Sequence, residues 1–148
     1  MSNDYMDDLW MDVGEAVFDR VDAECQILSE SAVENIRQGI VSTARTLWDD
    51  HFSLRIDWRH SGDASEMSLS LLKANAGFVE RAIDDMMVTL YDRLLGIQPL
   101  DILGDEMIHI VADGVCADIS VRFDKTFHTP LLEAANNVEA NVEANVEA

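Results

Sequence analysis

Apolar residues recur along this chain at two different spacings, and the change between them divides it. From Asn3 to Leu28, the residues Met6, Leu9, Trp10, Val13, Val17, Val21 and Leu28 follow one another mostly at steps of three or four. That spacing lines one face of a helix. A second run, Val33, Ile36, Ile40, Ala44 and Leu47, repeats it, and Ser31 with Glu34 before it has the spacing of a capping box. So few residues separate the two runs that an antiparallel αα-hairpin is expected. Gly39, inside the second helix, points to close packing there.

The period then shortens. Leu54, Ile56 and Trp58 alternate with Arg55, Asp57 and Arg59, a strand pattern, and His60 to Asp63 is turn material. Asp63 and Glu66 have capping spacing for a long central helix reaching about Leu95. Its stripe is Leu69, Leu72, Ala76, Val79, Ile83, Met86, Leu90 and Leu94. Gly96 at a left-handed cap and then Pro99 end it. Residues 107–123 are expected to form a β-hairpin turning at Asp113-Gly114. In that register Ala112 faces Val115, Ile110 faces Ala117 and Ile108 faces Ile119, one wholly apolar face, while His109 meets Asp118 on the other. The helical alternative must carry Gly114 mid-element together with many β-branched residues. Thr129-Pro130 is expected to open a C-terminal helix, as an N-cap followed by Pro at the first helical position. That helix runs into Asn137-Val138-Glu139-Ala140, which is repeated twice more. A four-residue repeat drifts around a helix, so a frayed low-complexity tail is expected.

These elements predict an α+β fold that is mainly helical: an N-terminal αα-hairpin, a long central helix, a small antiparallel sheet and a C-terminal helix. An all-α bundle is the alternative. Residues 1–136 are read as one acidic globular domain and 137–148 as its tail.

Charge sharpens the picture. The formal net charge is −19 over 148 residues. Residues 1–30 hold nine acids and one base, and residues 98–148 hold ten acids and two bases, whereas the middle is nearly balanced. On the first helix Asp4, Asp8, Asp12, Glu15, Asp19 and Asp22 form a one-signed stripe opposite the apolar face, roughly 27 Å long at the rise of an α-helix. Like charges at i,i+4 are mildly unfavourable, by about 0.2–0.5 kcal/mol per pair, and solvated helix faces ordinarily mix signs. The stripe also continues past the first turn, beyond the reach of the helix dipole. A chain this acidic repels phosphate backbones and anionic membrane surfaces and attracts basic surfaces, so direct nucleic-acid binding is disfavoured.

Signatures of chemistry are sparse. There is no phosphate-binding Gly-rich loop, nucleophile elbow or Cys pair with zinc spacing. Cys25 and Cys116 read as free thiols in a reducing compartment. No signal peptide or membrane span is evident, and a cytoplasmic location is expected. Asp57 with His60 and Glu106 with His109 repeat a carboxylate-x-x-His step known from metal-binding bundles. Both steps fall in segments read as extended, where i and i+3 face opposite ways. Asp49-Asp50-His51 is a further weak cue. No catalytic residue, metal site or cofactor is assigned.

In charge, size and helix content the chain resembles the small acidic proteins with which phages and mobile elements occupy DNA-binding sites on restriction, CRISPR or repair enzymes. That likeness implies an acidic inhibitor of the DNA-mimic type, whose partner is a basic nucleic-acid-binding protein. The expected contact residues are Asp4, Asp8, Asp12, Glu15, Asp19 and Asp22. Trp10, bordering the stripe, is added as an aromatic anchor of the kind interfaces favour. A DNA strand carries one charge per about 3.4 Å and the stripe one per about 5 Å, so a second acidic surface or a homodimer is called for. Asp101, Asp105, Glu106, Asp113, Asp118, Asp124 and the tail are the candidates for that surface. The competing readings are an adaptor or assembly protein acting through apolar helix faces and, behind it, a metal-dependent enzyme.

Overall fold

The computed structural model describes residues 4–53 and 68–147, with side chains described from 6 to 141. Among the described residues there are five long helices: α1 (Asp4–Glu24), α2 (Glu30–Leu47), α3 (Leu69–Leu94), α4 (Asp105–Phe123) and α5 (Thr129–Glu147). Among the described residues there is no strand, so the molecule is all-α and the expected sheet is absent. The strand expected at Leu54–Trp58 lies outside the described residues, as do Asp63 and Glu66.

Helices α1 to α4 form an up-down-up-down bundle. α1 packs on α2 and α4, and α3 packs on α4, α2 and α5. α1 turns into α2 through residues 25–29, where the Leu28 N–H donates to Cys25 O (3.0 Å). The stripe expected for α2 is buried in full: Val33, Ile36, Ile40, Ala44 and Leu47. Its cap is Ser29 rather than Ser31. The Ser29 hydroxyl accepts the Ala32 N–H (3.1 Å), while Glu34 turns instead to Arg37 and Gln38. α3 begins at Ser68, whose hydroxyl accepts the Leu71 N–H (3.2 Å). It ends without a left-handed glycine: no described glycine has positive φ. Instead the Gly96 N–H bonds Arg93 O, and a short 3-10 turn, Gln98–Ile102, leads into α4. Within that turn Pro99 lies over Gly39 so closely that a Cβ on the glycine would stand 2.7 Å from the proline ring.

The hairpin expected at 107–123 is helix α4. Its buried residues are Val111, Ala112, Val115, Cys116, Ile119 and Phe123. The misreading has a geometric cause. Positions 108, 112, 115 and 119 share a face in the hairpin register, but their steps of four, three and four are also helical. The two patterns part at Ile110 and Val121, which the hairpin would bury and which are 41% and 65% exposed. Gly114 is a place of close approach. The side chain of Arg20 crosses it from α1, and a Cβ there would lie 2.8 Å from Arg20 Cδ. The expected His109–Asp118 pair is replaced by two others. Tyr91 Oη lies 2.7 Å from His109 Nδ1, and Asp118 accepts from Arg20 Nε and Nη2 at 2.9 and 3.0 Å.

The C-terminal helix begins at Thr129 as expected, but Thr129 does not cap it. Thr129 is itself helical (φ −55°, ψ −43°), and a π-turn, Asp124–His128, joins α4 to α5 without a break. A proline inside a helix supplies no N–H and crowds the preceding turn, and a π-turn is one way the chain accommodates that. The backbone stays helical through the repeats to Glu147. Val138 packs on the core, and Glu139 pairs with Lys73 on α3 (2.5 Å). α3 thus lies against α4 with one half and α5 with the other.

The two ends of the bundle differ. At one end a second π-turn, Trp48–Phe52, continues α2. There Trp48 stacks on Phe127 (5.0 Å between centroids), both meet Phe123 edge-on, and Trp10 meets Phe123 edge-on (5.8 Å). At the other end the α1–α2 turn meets the α3–α4 connection around a shallow groove.

Candidate functional site

The outer face of α1 gathers most of the residues expected to contact a partner. Asp8, Asp12, Glu15, Asp19 and Asp22 are all exposed, and the backbone carries Asp4 on the same helix. They fall on one side because the opposite side, from Met6 to Val21, is buried against α2 and α4.

Not all of these carboxylates are free. Arg122 Nε stands 3.0 Å from Asp12 Oδ2, although without the alignment of a hydrogen bond. Arg122 also donates to Asp118 O on its own helix (2.9 Å). With Arg20 bound to Asp118, α1 and α4 are stapled reciprocally, each giving a base to an acid of the other. The hydrogen bond with Asp118, and then its charge, holds the Arg20 guanidinium pKa above its ordinary value. Asp12 therefore belongs partly to the seam. Asp8, Glu15, Asp19 and Asp22 have no ion pair among the described residues. These four span about 21 Å of helix, one charge per about 7 Å.

The pattern of bases explains how the face stays negative. Arg20, Arg37, Lys73 and Arg122 each pair with a carboxylate, Glu24 and Asp118, Glu34, Glu139 and Asp12 in turn. Arg45 lies over the Trp10 ring, 5.8 Å from its centroid. These bases join neighbouring turns or helices; Arg122 and Lys125 line one pocket with Asp8 and Asp12, so the face stays negative chiefly from Glu15 to Asp22. Hydrogen bonding from Arg37 in turn pulls the Glu34 carboxyl below its usual range.

Trp10 lies on the inner side of α1. It is 5% exposed, with its edge against Phe123 and its face under Arg45. It anchors α1 within the bundle, and the part of it left accessible lines the groove beside Met11 and Glu15. The apolar residues that do border the stripe are Met11, 67% exposed, and half-buried Phe18. With Trp10, Gly14, Glu15, Asp19, Glu34 and Arg37 they line a groove of about 410 Å³ between α1 and α2. Sequence reading missed this flank. Its signal was the i,i+7 pair Met11 and Phe18, which falls outside both the core stripe and the acidic stripe.

Of the carboxylates considered for a second acidic surface, Asp118 is tied to Arg20 and Asp124 to His128 (2.6 Å). Asp101, Asp105, Glu106 and Asp113 are exposed and have no ion pair among the described residues. Asp105 and Glu106 occupy the first turn of α4, where the helix dipole favours acid. Because 105–123 is a helix, Glu106 and His109 share a face after all, but among the described residues no three His, Cys, Asp or Glu side chains converge as metal ligands. Asp57 and His60 lie outside the described residues. His51 sits 3.4 Å from Arg93 Nη2. Both thiols are buried and free. Burial, and then Asp113, pushes Cys116 up to about 12; burial, and then Glu24, raises Cys25. Such thiols are poor nucleophiles at neutral pH.

Comparison with known proteins returns no matching family model, no similar curated protein and no similar solved structure. No described helix is long and apolar enough to cross a membrane.

Proposed function

We propose that this protein binds the basic, nucleic-acid-binding surface of another protein and inhibits it, its carboxylates standing where phosphates would. The observation that carries the reading is the outer face of α1, where Asp8, Glu15, Asp19 and Asp22 are exposed on one side of one helix with no ion pair among the described residues. Such a face is mildly unfavourable for the isolated protein and becomes favourable only against positive charge. At about 7 Å per charge it is sparser than a DNA strand, at about 3.4 Å. The mimicry is therefore one of sign and line, completed by Asp101, Asp105, Glu106 and Asp113 or by a second copy.

The test is capture from host lysate at low and high salt, with and without competing duplex DNA, followed by assay of the captured enzyme. The expected result is one nucleic-acid enzyme, released by salt and by DNA, and inhibited when this protein is added. The variant carrying Asp8→Asn, Glu15→Gln, Asp19→Asn and Asp22→Asn should lose it. Partners that survive high salt, ignore DNA and still bind the variant would overturn the reading and favour an adaptor that works through apolar surface.

A further inference from the structure

At the end of the bundle away from the aromatic cluster, the α1–α2 turn and the α3–α4 connection enclose a groove of about 410 Å³. Its apolar lining is Cys25, Ile27, Leu28, Ile102, Leu103 and Met107. Ile27 is 99% exposed and Ile102 61% exposed. Single exposed apolar residues are ordinary on protein surfaces. Two large ones sharing a groove with half-buried Leu28, Leu103 and Met107 make a continuous apolar surface, the kind that marks an interaction site.

The acid around it says what kind of partner fits. Glu24 lines the groove itself, and Glu30, Asp101, Asp105 and Glu106 are exposed on the segments that form it. Neither 21–36 nor 94–121 contains a Lys or Arg. Arg20, the nearest base in sequence, is bound to Asp118 and Glu24. A second copy is the wrong occupant, because a two-fold contact would set this acidic rim against itself. An anionic lipid surface is repelled for the same reason.

We infer that this groove docks an apolar side chain flanked by Lys or Arg, carried by the same basic partner that lies along α1. The inference rests on the functional reading above and adds to it a source of specificity. Charge along a helix selects any basic surface and fades with salt, whereas an apolar anchor in a shaped groove selects one partner and resists salt. α1 runs directly from its acidic face into the α1–α2 turn, so one partner can span both.

The test uses synthetic peptides on methyl- and amide-labelled full-length protein, followed by NMR. One peptide is an amphipathic helix of Leu and Lys, a second replaces each Leu by Ser, and a third replaces each Lys by Glu. The Leu–Lys peptide should shift the methyl signals of Ile27, Ile102 and Met107, and the double variant Ile27→Ser, Ile102→Ser should weaken it at least tenfold with helix content unchanged. The Ser–Lys peptide should shift only the α1 amides near Asp8, Glu15 and Asp19. If the Leu–Lys peptide shifts α1 alone, the groove inference falls and the acidic reading stands. If it fills the groove while neither Lys peptide touches α1 at low salt, the acidic reading falls and the groove stands as an apolar docking site. Equal binding of the Leu–Glu peptide, or self-association abolished by the double variant, would overturn the choice of a basic occupant.

Discussion

The two ends of this bundle bury apolar residues with opposite completeness. At the aromatic end, Trp10, Trp48, Phe123 and Phe127 come from α1, the π-turn after α2, α4 and the π-turn after α4, and all are buried. Each of the two described π-turns supplies one of these rings, Trp48 and Phe127. π-turns often mark functional sites, but here packing accounts for them. At the other end comparable apolar material is left in the open, with Ile27 fully exposed and Ile102 mostly so. The difference separates what holds the fold from what is available to a partner. Large, irregular or aromatic features belong to the first class, and modest aliphatic residues beside unpaired acid belong to the second.

The largest predicted effect tests that separation directly. Phe123→Ala removes the ring that meets Trp10, Trp48 and Phe127 edge-on, and it should cost about 3–5 kcal/mol, as large core truncations do. Ile27→Ser removes a side chain that is 99% exposed, and stability should stay within about 0.5 kcal/mol. Urea denaturation followed by circular dichroism measures both. If the two variants lose similar stability, the ends do not differ in the way described.

A middle-sized effect probes the groove end from beneath. Gly39→Ala places a methyl 2.7 Å from the ring of Pro99, which is held in the 3-10 turn before α4. A proline ring cannot swing aside as a long side chain can. The helix-propensity gain of up to about 1 kcal/mol should be outweighed, for a net loss of about 1–3 kcal/mol typical of overpacking. A gain in melting temperature instead would mean that the α3–α4 connection shifts freely, and the groove with it.

How much of this was legible in sequence follows from the same physics. The faces of α1, the buried stripe of α2 and the core of α3 are local, and a 3.6-residue period reports them without knowledge of neighbours. The acidic stripe was legible for that reason too. The 107–123 segment was not, because residues 108, 112, 115 and 119 satisfy both periods, and because the feature that places Gly114 in a helix is the Arg20 side chain, 94 residues away in sequence. On a helical wheel Trp10 falls within the apolar arc of α1, among Met6, Val17 and Val21, so its burial was legible in sequence, whereas Phe123 and Arg45, which close over it from other helices, were not. The groove at the open end joins two connections far apart in sequence, and no one-dimensional pattern brings Ile27 beside Ile102.

The smallest predicted effect bears most on function, because its sign separates two explanations of the charge. If acid on α1 served stability, neutralising it would destabilise the protein. The structure gives the opposite sign. Asp8, Glu15, Asp19 and Asp22 have no ion pair among the described residues, and Glu15–Asp19 and Asp19–Asp22 are like-charge neighbours at i,i+4 and i,i+3. Removing all four charges should relieve about 0.2–0.5 kcal/mol per such pair, together with part of the general repulsion of a chain at −19. A gain near 1 kcal/mol would raise the melting temperature of a chain this size by roughly 2–4 °C. Added salt should raise the melting temperature of the native protein and do less for the variant, since screening and neutralisation relieve the same repulsion. A protein that becomes more stable but loses its basic partner carries this charge for the contact. A protein that loses stability on neutralisation must hold these carboxylates in the fold, and the outer face of α1 would then be a poor candidate for the binding surface.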